Sequence, residues 1–199
     1  RFNSYEGLFQ SNDAAAAIFI RKDNKLWKKG DKLVQKDLAK TLKQISKYGR
    51  DGFYLGHVAK LIVAEMKRGN GLISFDDLKN YLSVYRDPVT GTYNGNEVIS
   101  MGPPSSGGAL LINMMNMLEN YPVDSLGWNS SDYIHLLTEV ERRAYADRAE
   151  HMGDSDFWNV PLDLLTSKEY AISRISNIDL EKATPSEVIS ASRALGYES

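Results

Sequence analysis

Residues 109–118, Ala-Leu-Leu-Ile-Asn-Met-Met-Asn-Met-Leu, are apolar almost all the way round a helical circumference. A helix with no broad polar face has to be covered on nearly every side, so this one belongs in the middle of a larger protein, not on a surface. That requirement restricts the fold more than any other feature of the chain.

The residues leading into it sharpen the picture. Tyr93 to Met101 reads as a hairpin that turns at Asn94-Gly95 into a strand over Glu97 to Met101. The loop Gly102-Pro103-Pro104-Ser105-Ser106-Gly107-Gly108 follows. Its prolines stiffen the strand exit, Ser105 or Ser106 caps the apolar helix, and the glycines allow close packing.

Elsewhere the pattern is mainly helical. Leu38, Leu42 and Ile45 recur at helical spacing ahead of Gly49, and Phe53, Ile62, Val63 and Met66 repeat this up to Gly69 and Gly71. Ser74, with Asp77 three residues on, predicts a capped short helix that is over by Arg86-Asp87-Pro88. Ser130 or Ser131 caps a helix over Asp132 to His151, with Ile134, Leu137, Ala144 and Tyr145 on or near one face and Gly153 beyond its end. Thr166 or Ser167 opens another, carrying Tyr170, Ile172 and Ile175. Ala14 to Ile20, bounded by Asn12-Asp13 and Lys22-Asp23-Asn24, reads as a strand. From Asp179 to Ser199 the periodicity fades into an extended, serine-rich tail.

One hairpin and one further strand rarely make a stable sheet alone. The expected class is therefore α+β, with these strands added to a sheet supplied by residues outside the chain. At 199 residues there is enough chain for a hydrophobic core. No run approaches the about 18 apolar residues needed to cross a membrane. The start at Arg1 shows no charged-then-apolar leader, and a first residue other than methionine suggests a lost upstream part.

Several chemistries are disfavoured. The 24 basic and 26 acidic residues nearly cancel without long blocks, which argues against nucleic acid as a partner. With no cysteine there is neither thiol catalysis nor a disulfide. His57, His135 and His151 lack the one-turn spacing of metal ligands, so neither a metal nor another cofactor is assigned. No glycine-rich run precedes Lys-Ser or Lys-Thr, which removes a phosphate loop. Glu139, Glu141, Arg142, Arg143, Asp147 and Arg148 suggest ion pairing along one helix in preference to a carboxylate site. Trp27, Trp128 and Trp158 are read as packing anchors.

A family resemblance runs through nearly the whole chain. Its islands are Lys29-Gly30-Asp31, Val34-Gln35, Asp37-Leu38-Ala39, Thr41-Leu42, Gly52-Phe53-Tyr54, Gly56, Ala59, Gly71-Leu72-Ile73, Asp77-Leu78, Tyr81, Arg86-Asp87-Pro88-Val89 and Tyr93. They continue with Pro103 to Gly108, Asn116-Met117-Leu118-Glu119, His135, Glu139, Ala144-Tyr145-Ala146-Asp147-Arg148 and Gly153-Asp154-Ser155-Asp156-Phe157. In this order and spacing the sequence resembles the γ-glutamyltransferase (γ-glutamyltranspeptidase, glutathione hydrolase) family. It departs from the usual pattern at Gly102 and Ser155, where prolines are more common.

The resemblance implies an N-terminal-nucleophile hydrolase, an αββα sandwich to which residues 1–199 contribute as the C-terminal part of a large subunit. It implies that residues 179–199 lead to a self-cleavage site flanked by Tyr197, Glu198 and Ser199. A nucleophilic threonine is then expected about two residues beyond Ser199, at the head of a small subunit from the same precursor. No catalytic residue falls within this chain, and Pro104, Ser105 and Ser106 are candidates only for the active-site wall. The family's serine pair for the oxyanion belongs to another motif, in the small subunit.

The implied activity is cleavage of γ-glutamyl amides such as glutathione and its conjugates, with transfer to water or to an amino acid or dipeptide. Cephalosporin or glutaryl acylases and poly-γ-glutamate depolymerases share the superfamily, and a noncatalytic helical interaction module is the reading from another class. Bacterial members of the family are periplasmic or secreted.

Overall fold

The computed structural model describes residues 2–23 and 25–191. Two compact units make up the chain, residues 1–84 and 85–199, and each is treated by itself.

In the first unit, a 3-10 turn over Phe2–Tyr5 precedes α1 (Glu6–Gln10) and α2 (Asp13–Phe19). The strand expected over Ala14 to Ile20 is thus a helix. Asn12 caps it by accepting the Ala15 N–H, and its four consecutive alanines have the strongest helix preference of any residue. Phe9 and Phe19 stack at 5.0 Å, and Trp27 anchors to the same cluster by donating Nε1–H to the Phe19 carbonyl.

Helix α3 (Lys36–Tyr48) ends at Gly49, whose φ of 58° suits glycine. Then come α4 (Asp51–Tyr54), α5 (Gly56–Arg68) and α6 (Phe75–Asn80). The periodicity from Phe53 to Met66 is therefore split at Leu55–Gly56. The expected cap of α6 is present as a full capping box: Ser74 Oγ accepts the Asp77 N–H while the Asp77 carboxylate takes the Ser74 N–H. Arg50 fixes the other end of α6 by donating to the carbonyls of Lys79 and Tyr81.

In the second unit, β1 (Val89–Tyr93) and β2 (Asn96–Ser100) form an antiparallel hairpin in which Val89 faces Ser100 and Tyr93 faces Asn96. Asn94 and Gly95 both have positive φ, as the expected two-residue turn requires. Helix α7 (Gly107–Leu118) lies against this hairpin so closely that a Cβ on Gly91 would sit 2.7 Å from Ile112. Its burial matches the apolar sequence. The two polar exceptions, Asn113 and Asn116, are buried too and donate to the carbonyls of Leu165 and Thr166 at 2.8 and 2.7 Å.

Helix α8 (Ser131–His151), capped by Ser130, packs on α7, and α9 (Leu162–Leu165) and α10 (Lys168–Ile175) complete the layer. Leu110, Met117, Leu136, Val140, Ala144 and Ala171 form the core. The inner face of α8 agrees with the sequence only at Ala144 among the buried residues. Ile134 is 49% and Tyr145 59% exposed, whereas Glu139, Arg143 and Asp147 are buried beside Leu136 and Val140. Charged residues paired inside the fold lower the apolar signal on the face that is buried. Trp128, at 91% exposure, and Trp158, at 51%, are likewise not core residues of this chain.

Candidate functional site

Two features of the second unit carry the residues singled out from sequence: the loop 101–108, and the buried charges of α8 with the segment they hold.

The loop is shaped by contacts that leave little freedom. Pro103–Pro104 is a cis peptide, and the Ser105 N–H closes a turn onto the Gly102 carbonyl at 3.2 Å. Gly108 donates to the Met101 carbonyl at 3.2 Å, and a Cβ there would lie 3.0 Å from the Met101 amide nitrogen. The glycine at 108 is thus a packing requirement. At Gly107 only Ser105 Oγ comes near, at 3.4 Å from a built Cβ.

Ser106 occupies the N-cap position of α7 but makes no side-chain cap. Its Oγ instead accepts from Arg148 Nε of α8 at 3.0 Å, while Ser105 Oγ accepts the Gly107 N–H at 3.3 Å. Both hydroxyls receive hydrogen bonds from donors. A nucleophilic serine needs an acceptor base within reach of its proton, and neither of these bonds supplies one. Pro104 is exposed and the two serines are half-buried, so a ligand could touch this loop.

Ser155, one of the two departures from the family pattern, is accommodated. Ser155 Oγ accepts from Arg86 at 3.3 Å, beside the Arg86–Asp156 ion pair at 2.6 Å, which holds the Asp156 carboxyl below its ordinary value. Glu119 is bound to Lys168 and accepts the Asn94 N–H at 2.7 Å, so it ties the hairpin turn to α10.

Glu139 is fully buried on α8. Oε1 accepts from Arg142 at 2.5 Å and from the Thr184 N–H at 2.8 Å, and Oε2 accepts from Arg143 at 2.6 Å. Burial pushes this carboxyl up, but the Thr184 and arginine hydrogen bonds outweigh it and hold the group below its ordinary value. Pairing along the helix, as expected, accounts for Glu139 with Arg142 and Arg143. Asp147 pairs instead with Arg174 of α10 at 3.0 Å, and Arg148 turns to the loop.

Asn177, Thr184 and Arg174 were not singled out from sequence. The available signal was Glu139, Arg143 and Asp147, one helical turn apart, which requires partners once that stripe is seen to face inward.

Among the described residues no group of histidines and carboxylates is arranged to hold a metal ion. His135 faces the Asp179 carbonyl at 2.8 Å, and His57 is exposed on α5. Tyr197, Glu198 and Ser199 lie outside the described residues.

A family profile described as Gamma-glutamyltranspeptidase matches residues 1–198. The chain is similar to the glutathione hydrolase proenzyme of Escherichia coli K12, 44% identical over 95% of this chain and 32% of that protein. It is also similar to the acylase ACY 1 proenzyme of Pseudomonas sp. SE83, 39% identical over 87% of this chain and 31% of that one. The crystal structure of Helicobacter pylori gamma-glutamyltranspeptidase superposes with a TM-score of 0.91 at 41% identity, covering 100% of this chain and 57% of that chain. The sequence therefore spans about a third of the length of the curated relatives it matches.

Proposed function

The chain belongs to the gamma-glutamyltranspeptidase family, and from that premise we propose that it is the C-terminal part of the large subunit of a self-cleaving enzyme that breaks γ-glutamyl amide bonds. Its fold is that of the N-terminal-nucleophile hydrolases, to which it contributes helices and a hairpin. The observation that carries the reading is the 44% identity to a glutathione hydrolase proenzyme across 95% of the chain.

In this reading the nucleophile is a threonine beyond Ser199, exposed as the first residue of a small subunit when the precursor cleaves itself. Its hydroxyl attacks the γ-carbonyl carbon and passes its proton to the threonine's own α-amino group, whose pKa near 8 leaves a usable neutral fraction. The amide nitrogen departs as an amine carrying a proton, and a γ-glutamyl ester remains. Water, or the amine of an amino acid or dipeptide, then takes the acyl group.

The residues of the present chain act as scaffold. The hairpin adds to the catalytic sheet and the helices layer on it, the 104–106 loop contributes to the wall of the site, and residues 179–199 lead to the cleavage point. The hydrogen bonds that Ser105 and Ser106 accept from Gly107 and Arg148 agree with a wall and give no support to a catalytic role.

The test uses the full precursor. Mass spectrometry is expected to find a second polypeptide beginning with threonine, and γ-glutamyl-p-nitroanilide is expected to release p-nitroaniline. A second reading, an acylase, is favoured by the 39% identity to the ACY 1 proenzyme. On that reading the precursor would cleave itself in the same way but is expected to leave the γ-glutamyl anilide intact.

A further inference from the structure

Residues 176–191 carry no regular structure beyond a 3-10 turn at Ser186–Val188, yet α8 holds them at three points. Arg143 donates to Asn177 Oδ1 at 2.8 Å through Nη2, and His135 Nε2 meets the Asp179 carbonyl at 2.8 Å. At Thr184 both backbone groups are taken: Glu139 accepts its N–H, and Arg142 Nη1 donates to its carbonyl. Arg142 and Glu139 are themselves paired, so they grip one peptide residue much as a neighbouring strand would. Pro185 then fixes the next step at φ −59°, ψ 135°, an extended exit.

This arrangement is a poor way to gain stability. Taking a carboxylate fully out of water is costly, and well-packed apolar residues of similar volume serve stability as well or better. What an ion pair adds over an apolar contact is directionality. An apolar patch lets an irregular segment slide, whereas a carboxylate and a guanidinium bound to a single N–H and C=O admit one register.

We propose that Glu139, Arg142 and Arg143 form a register clamp that positions the segment running to the self-cleavage bond, and that they thereby set the rate of self-cleavage without taking part in turnover. This rests on the proposed function, since it needs a precursor that cleaves beyond Ser199. The scissile step is an attack by a hydroxyl on its own preceding carbonyl, and misplacement by about 1 Å costs on the order of a hundredfold. Glu139, Arg142 and Arg143 are positioning residues, acting through the backbone of Thr184 and the side chain of Asn177.

The experiment is done on the full precursor, following the appearance of two polypeptides over time together with turnover per matured enzyme. Glu139→Gln and Arg142→Met are expected to slow self-cleavage about ten- to a hundredfold. Arg142→Lys, which keeps one charged donor, is expected to recover part of that loss. Turnover of the matured fraction is expected to stay within about twofold of the wild type, because the held segment has by then been released from the nucleophile. Cleavage at the wild-type rate in both variants overturns the clamp. So does turnover that falls in parallel with cleavage, since that marks a merely structural role. If Glu139→Gln fails to fold, the more accessible Arg142 pair of variants decides. A wild-type precursor that never cleaves removes the proposed function itself, and that result is visible before any variant is made.

Discussion

Gly108 sits against Met101 so that its N–H donates to the Met101 carbonyl, and a side-chain carbon at this position would lie within 3.0 Å of the Met101 backbone. The obstacle is main chain at the exit of the hairpin, so it cannot swing aside as a side-chain tip would. Gly108→Ala is expected to destabilise the second unit by about 3 kcal/mol, the upper range for overpacking. Gly107→Ala meets only Ser105 Oγ and is expected to change stability by less than about 1 kcal/mol. Amide exchange in α7 compares the two, and equal protection would show that the 108 contact is not the constraint.

The hydroxyls of Ser105 and Ser106 each accept a hydrogen bond from a donor, and no base is placed on either by those bonds. Ser105→Ala and Ser106→Ala in the matured enzyme are therefore expected to keep kcat within about tenfold of the wild type, whereas loss of a true nucleophile costs on the order of a millionfold. Steady-state kinetics with γ-glutamyl-p-nitroanilide reads this directly. A collapse of kcat in either variant with the fold intact would place the serines in the chemistry.

Helix boundaries could be read from the sequence where a local signal dominates: the Ser74–Asp77 box, the Asn94-Gly95 turn, the Ser130 cap and the stop at Gly49 all appear where the residues place them. Residues 14–20 were misread because an apolar run that short fits a strand or a helix, and only the Asn12 cap and the alanine content separate the two. The inward face of α8 was hidden for a different reason. Its burial is decided by partners 27 to 45 residues away, Asn177, Arg174 and Thr184, which satisfy charges that hydropathy assigns to solvent. The loop 101–108 was found as a motif, while the Arg148–Ser106 contact that fixes it across two helices has no signature in one sequence.

The buried Glu139 gives the protein a defined acid response. Its folded carboxyl is held below the ordinary value of 4.5, so the unfolded chain binds the proton more readily than the folded one. The stabilisation is fully present above about 4.5 and is lost as pH falls through that value toward the lower folded one. Unfolding midpoints of wild type and Glu139→Gln, measured from pH 7 to pH 3, should converge as the solution is acidified. A gap that stays constant over that range would mean that the carboxyl does not titrate with unfolding.

The Asp147–Arg174 pair joins α8 to α10, with side-chain exposures of 2% and 10%. Arg174 also donates to the Arg143 carbonyl at 3.0 Å, so it reaches the same helix at two points. Replacing it by methionine keeps much of the apolar stem but removes the Arg174 guanidinium from the buried Asp147 carboxylate. Breaking a buried pair from one side costs about 3–5 kcal/mol, because the remaining charge loses what that partner contributed. The double variant Asp147→Leu with Arg174→Met removes both charges, and a well-packed apolar replacement is often neutral. Arg174→Met is therefore expected to raise amide exchange in α8 and α10 by several orders of magnitude, and the double variant to restore most of the protection. If the double variant were as exposed as the single one, the contact would matter for its shape and its hydrogen bonds more than for its charge, and the same test would then favour Arg174→Lys over any apolar pair.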